Sequence, residues 1–373
     1  MSIPYAQHII GETERQAVLD LMDGGWLARG PALAEFENAF ARYVGSSAAI
    51  SCCSGSAALE IVMRALNIGP GDEVIVPNIT WVSTATAVNK VGGAPVFCDV
   101  EEGVPNLCPD AVEACISSKT KAVVAVHFAG VSVDMEALST LCDKYGLTFV
   151  EDAAHAVGGS YADGVKIGSS ALSAAACFSF HPAKNMTAGE GGMVTTQDAE
   201  LAARIALIRS NGVFRRGADG IKKAQYDCLE IGDNYHLNCI AAVIGLHQLD
   251  RLDGFVSRRG KLWQRYSQLL ADSPHVTLLP HPAYSAYNLC LAMIENNRDQ
   301  VFSALNKAGI GAYYHYPLLH ELSVYKGTAQ SRSGPNLANS IYYRDHAITL
   351  PLHPGLKDDD INKIVEVLTS EVS

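Results

Sequence analysis

The chain has 373 residues, 48% of them apolar and 18% charged, an ordinary composition for a folded globular protein and long enough for two units with separate cores. A formal net charge of -11 argues against a nucleic-acid surface, because the basic pairs Arg215-Arg216, Lys222-Lys223 and Arg258-Arg259 are isolated rather than clustered. No apolar run approaches the ~18 residues of a membrane span, no export signal is visible, and the ten cysteines lack C-x-x-C spacing, so reduced thiols in a cytoplasmic protein are expected.

In chain order, short runs rich in Val, Ile and Phe predict strands at 47–52, 72–77, 94–100, 121–128 and 147–152, with helices at Gly55 to Leu66, Val82 to Val91, Pro109 to Ile116 and Met135 to Tyr145 between them. Strand and helix in turn imply βαβ units and a mainly parallel sheet covered on both faces. Runs at 174–180 and 192–196 extend that sheet. A long periodic stretch, 237–272, predicts a helix or helix pair leaving it, followed by strands at 275–280, 287–294 and 311–319 and a closing helix from Lys357 to Val372. The expected organisation is α/β, a large domain of residues 1–245 and a smaller α+β domain of 246–373.

Ligands of open α/β sheets sit beyond the carboxyl ends of the strands, and four predicted strand ends carry chemistry. At Ser54-Gly55-Ser56 a strand passes into a helix, where free N–H groups and the Ser56 hydroxyl could seat a phosphate; a plain serine N-cap explains the pattern as well. Glu151-Asp152 ends a buried strand with His155 three residues on, so that a carboxylate could pair with a cationic ring nitrogen; a cap and a core histidine are the alternative, and no third ligand at useful spacing points to a metal. Trp81 follows a strand and could stack on a flat group or pack into the core. Lys184 stands alone, since no Asp, Glu or Arg occurs from Ile167 to Gly189. An amine in an apolar pocket loses its proton more readily and attacks aldehydes; a surface lysine on a glycine-rich loop is the competing reading. A phosphate seat, a stacking ring, a carboxylate and an amine are together the parts that pyridoxal 5'-phosphate requires.

At these residues the chain resembles the sugar aminotransferases of the DegT/DnrJ/EryC1/StrS family, fold-type I pyridoxal-phosphate enzymes. The segments "GGWLARGPALAEFE", "SGSAALE", "GPGDEVIVPNITWVSTATAV", "VEDAAHAVG", "FSFHPAKNMTAGEGGMVTT", "IGDNYHLNCIAAVIGLHQL" and "LPLHPGL" come in the family's order. The resemblance implies that Lys184 binds the cofactor covalently and shuttles a proton, and that Asp152 keeps the ring nitrogen protonated. Trp81 would stack on the ring, His155 approach its phenolic oxygen, and Gly55, Ser56 and Ser179 hold the phosphate, with Asn234 contributed by a second subunit. His236 stands where members often carry arginine, which puts its phosphate contact in doubt. Retention of Lys184 separates the chain from the family's dehydratases.

The implied enzyme is a homodimer that moves an amino group from L-glutamate to a keto group of a nucleotide-linked sugar; "SFHP-x-K" followed by "TAGEGG" points to 4-keto-6-deoxy sugars. Arg29, His181, Tyr313, Tyr314, His315 and Tyr316 are the candidate substrate contacts, the tyrosines being equally at home as packing residues of an amphipathic strand. A glutamine-dependent aminotransferase for a cyclic ketone such as scyllo-inosose, and a pyridoxal-phosphate-binding regulator without turnover, remain as alternatives.

Overall fold

The computed structural model describes residues 2–215 and 225–371; Arg216 and the pair Lys222-Lys223 fall outside them. Two helices, α1 (Glu12–Gly24) and α2 (Pro31–Val44), precede an alternation of strand and helix: β1 (Ala48–Cys52), α3 (Gly55–Ala65), β2 (Glu73–Pro77), α4 (Ser83–Lys90), β3 (Ala94–Cys98), α5 (Pro109–Cys115), β4 (Thr120–Val126), α6 (Met135–Tyr145) and β5 (Thr148–Asp152). After β6 (Ala175–Ser179), β7 (Gly192–Thr196) and α7 (Ala199–Arg209), the short strands β8 (Val213–Arg215) and β9 (Tyr226–Cys228) form a separate antiparallel pair. The strands predicted from apolar runs in this half all form. Their side chains are buried on both faces, as a sheet sandwiched between helices requires.

The second half carries α8 (Cys239–Leu269), β10 (Val276–Leu278), β11 (Cys290–Ile294), α9 (Arg298–Lys307), β12 (Arg332–Ser333), α10 (Ala338–His346), β13 (Ala347–Leu350) and α11 (Asp358–Ser370). The stretch 237–272 is thus one 31-residue helix rather than a pair, started by Asn238, whose side chain accepts from the Ala241 N–H.

The main sheet has the order β1-β7-β6-β5-β4-β2-β3-β12, with β7 antiparallel to both neighbours and the other pairs parallel. A second sheet, β10-β11-β13, is antiparallel and packs with α8, α9 and α11 around Leu262, Tyr266, Val301 and Ile361. Position 245 lies inside α8, which runs from one sheet to the other, and β12 returns from the later half of the chain to pair with β3. Residue Ile3 joins the smaller core, bonded to Gly309 and Gly311. All ten cysteines are free, and among the described residues no helix is long and apolar enough to cross a membrane.

One predicted strand does not form. Residues 311–319 make a single bridge, in which Tyr313 and Thr349 exchange backbone hydrogen bonds, and the chain then leaves the sheet. Pro317 has no N–H to extend a ladder, and His315 and Tyr316 turn towards the main sheet. The strand in the second sheet is β13, whose sequence "AITL" is too short to stand out as a run of its own.

Candidate active site

A cleft of about 640 Å³ opens beyond the carboxyl ends of β1, β5 and β6, against the junction of the two sheets. Ten of the residues singled out in the sequence line it: Gly55, Ser56, Trp81, Asp152, His155, Ser179, His181, Lys184, His315 and Tyr316. They come from segments more than 250 residues apart, brought together because each follows a strand or a sheet contact that ends on the same side.

At one end of the cleft α3 begins. Ser54 is the N-cap, its hydroxyl accepting from the Ala57 N–H at 3.1 Å, so the cap reading holds for Ser54 and leaves Ser56 available. The Ser56 hydroxyl lies 2.6 Å from that of Ser83 at the start of α4. A Cβ at position 55 would come within 2.8 Å of the Ser179 Cβ, so only glycine lets α3 approach β6 this closely. The result is a nest of hydroxyls at a positive helix end.

Lys184 is part of the lining. Its turn is fixed by its own N–H donating to His181 O at 2.8 Å, by Ala188 N–H donating to Phe180 O at 3.0 Å, and by the buried Asn185, which donates to Val157 O and Ala286 O. Its amine makes no hydrogen bond or ion pair within the described residues, and it is the only lysine or arginine lining the cleft. Burial lowers its pKa from 10.5 to about 8, against an opposing pull from Asp152.

Asp152, 4% exposed at the end of β5, accepts from the Thr84 hydroxyl at 2.8 Å through Oδ2 and from the Ala154 N–H at 3.1 Å through Oδ1. Burial raises its pKa, while those two donors favour the ionised form. Burial first, then the neighbouring Lys184 and His315, holds His155 well below the usual histidine range. Because its Nδ1 accepts from the Ala129 N–H, its Nε2 carries the proton and meets Tyr316 Oη at 3.0 Å. Trp81, 58% exposed, stands at the mouth with its ring 6.0 Å from that of Tyr316.

The other candidates lie elsewhere. Tyr314 stacks on Phe302 of α9 at 4.3 Å and bonds Asp299, which makes it a packing residue of the small sheet. Tyr313 is half exposed and packs behind Tyr5. Asn234, His236 and Arg29 do not line this chain's cleft. Asn234 and Arg29 are exposed, and both His236 ring nitrogens are buried without a partner. Desolvation, then Arg209 and Arg29, push His236 down to about 4, so the ring is neutral near pH 7.

Sequence reasoning missed Tyr5, Ser83, Thr84, Glu190 and Asn288. Ser83 and Thr84 sit two and three residues beyond Trp81 at a predicted helix start, where small hydroxyl residues are a usable signal. Nothing local marks Tyr5; it reaches the cleft only because residues 3–5 pair with 309–311 and 352.

The comparisons agree with this geometry. The chain is 34% identical over 387 residues to a UDP-4-amino-4-deoxy-L-arabinose--oxoglutarate aminotransferase of Shewanella sediminis (strain HAW-EB3), covering 99% of this chain and 98% of that protein. Among solved structures it superposes on Helicobacter pylori PseC, an aminotransferase "involved in the biosynthesis of pseudoaminic acid" (TM-score 0.92, 27% identity, 100% and 99% of the two chains). It also superposes on the PMP-form of the sugar aminotransferase Spr1654 from Streptococcus pneumoniae, itself described as putative (TM-score 0.93, 29% identity, 100% and 98%). The sequence profile of the DegT/DnrJ/EryC1/StrS aminotransferase family matches residues 8–369, so the chain belongs to that family and is an aminotransferase.

Proposed function

We propose that this enzyme uses pyridoxal 5'-phosphate to transfer the amino group of L-glutamate to a keto group of a nucleotide-linked sugar. The observation that carries the reading is that one cleft is lined by Lys184, whose amine has no partner among the described residues, by the hydroxyls of Ser56, Ser83 and Ser179, and by the buried carboxylate of Asp152. The donor set fits the cofactor: Gly55, Ser56 and Ser179 for its phosphate, Asp152 for its ring nitrogen, Trp81 for its face and His155 for its phenolic oxygen. Solved PLP- and PMP-forms of Spr1654, similar over the whole chain, support the same choice.

When bound, the cofactor supplies an aldehyde carbon for the amino group and a ring that draws electrons from the carbon carrying it. The protein supplies the rest. Lys184 Nζ, largely able to lose its proton near pH 8, serves as nucleophile and then takes up and returns the substrate proton. Asp152, held through both oxygens by donors that favour the ionised form, would hold a proton on the ring nitrogen. Tyr5, His315 and Tyr316 form an aromatic wall suited to a sugar ring, and His315 is held neutral by burial, its pKa lowered to about 3.

A second subunit is part of the proposal. Among the described residues of the lining, Lys184 is the one lysine or arginine, little positive charge for a phosphate, a diphosphate and a dicarboxylate, and a second copy would supply more. Arg29 lies close enough to His236 to lower its pKa, Asn234 is two residues away, and the apolar Trp26 and Ile231, three residues from Arg29 and Asn234 in sequence, are 63% and 83% accessible, which suits burial against another copy. The Shewanella relative's name pairs a UDP-linked amino sugar with oxoglutarate, the keto acid of glutamate, which supports both donor and acceptor class. The division into domains 1–245 and 246–373 and a cytoplasmic location also stand as proposals.

The test is a single assay panel: glutamate or glutamine as donor against 4-keto-6-deoxy nucleotide sugars, other nucleotide ketosugars and scyllo-inosose. Turnover with glutamate and a nucleotide ketosugar is expected. Turnover confined to glutamine and inosose would overturn the substrate assignment, and no turnover together with no spectral response to glutamate would favour a regulator.

A further inference from the structure

We propose that the first turn of α4 fastens both ends of the cofactor seat, Ser83 as a further phosphate ligand and Thr84 as the positioning residue of Asp152; this rests on the pyridoxal-phosphate reading above. Neighbouring helical residues point about 100° apart, so two consecutive side chains can serve two different groups. Ser83 turns to α3, where its hydroxyl lies 2.6 Å from Ser56 Oγ, and both line the cleft. Thr84 turns to β5, donating to Asp152 Oδ2 at 2.8 Å from a position 1% exposed.

The hydroxyl inventory makes each role specific. Two serines bonded to each other share one proton between their oxygens and leave the other proton free. An anion seated beside them accepts from both, which converts the pair from self-bonded to ligand-bonded at no cost in fold. Thr84 has one proton and gives it to Asp152, so Thr80, whose Oγ1 is 3.0 Å away, must donate to Thr84. The direction is fixed: Thr80 to Thr84 to carboxylate. Burial works against the ionised Asp152, and the Thr84 proton is the first force opposing it. A hydroxyl here therefore keeps Asp152 charged and aimed, without touching the cofactor.

The test uses full-length protein stripped of cofactor, with Ser83→Ala, Thr84→Val and Thr84→Ser. Absorbance titration should show that Ser83→Ala raises the pyridoxal-phosphate dissociation constant about tenfold, and inorganic phosphate should compete with cofactor uptake less well by a similar factor. Thr84→Val should leave phosphate competition near wild type but move the acid limb of the kcat–pH profile upwards, because losing a donor to the charged form raises the Asp152 pKa. It should lower kcat more than it changes KM, and Thr84→Ser should restore both. Unchanged cofactor and phosphate affinities in Ser83→Ala, or a wild-type acid limb in Thr84→Val, would overturn the assignment while leaving Lys184 chemistry standing. A wild-type protein that takes up no pyridoxal phosphate would overturn the reading beneath it as well.

Discussion

Lys184 owes its reactivity to what its surroundings lack. Among the described residues no carboxylate comes within ion-pair distance of its amine, and burial brings its pKa to about 8 from 10.5. Only the uncharged amine attacks an aldehyde, so the rate of cofactor uptake by stripped enzyme should climb with pH through about 8 and then level; stopped-flow absorbance would show this, whereas an ordinary lysine would give a rate still rising towards pH 10.5. Lys184→Ala should lower transamination by at least about 10³-fold in a coupled assay while the circular dichroism stays native. His236 behaves oppositely: neutral near pH 7 and with both nitrogens unpartnered, it brings no charge, so His236→Gln should change cofactor affinity by no more than about twofold in the same titration. Lys184, Asp152 and Ser56 were legible in the sequence because each is a polar residue stranded after an apolar run. Tyr5 was not, because its place depends on a pairing across more than 300 residues that no local pattern encodes.

Among the elements, β1, α3 and β7 decide whether the hydroxyl nest exists. A Cβ at Gly192 in β7 would lie 2.3 Å from Ser54 O, a backbone atom that cannot step aside. Gly192→Ala should therefore cost at least about 2 kcal/mol in denaturant unfolding and weaken cofactor binding at the same time. Ser54→Ala, which removes the N-cap of α3, should cost about 1 kcal/mol by the same measurement. The strands of the main sheet were readable as Val- and Ile-rich runs because both their faces are buried. The stretch 311–319 shows where that logic stops: its tyrosines suit a strand, yet Tyr314 is taken by Phe302 while His315 and Tyr316 are taken by the cleft, and tertiary contacts override the local preference. Helices α1, α2, α7, α9 and α10 were not anticipated. In α7 the reason is visible, since Ile205 and Ile208 are its buried residues amid polar and small ones, a weak periodic signal.

At the scale of the whole molecule, the proposed enzyme would have two copies share each cleft. Lys184 would come from one chain and Asn234 from the other, so Lys184→Ala and Asn234→Ala variants, each defective alone, should complement when co-expressed. Random pairing yields half heterodimers with one intact site each, or about a quarter of wild-type activity; no recovery above the separate variants would place the whole site within one chain. The alternation of strands and helices made the main sheet legible, but a surface for pairing copies would leave no such trace, because exposed apolar residues such as Trp26 and Ile231 are unremarkable in a sequence. Dimer, donor and sugar all presuppose one covalent attachment. Borohydride reduction of the protein with pyridoxal phosphate, followed by peptide mass mapping, should leave the phosphopyridoxyl mass on Lys184 alone; the label on another residue, or on none, would contradict the account.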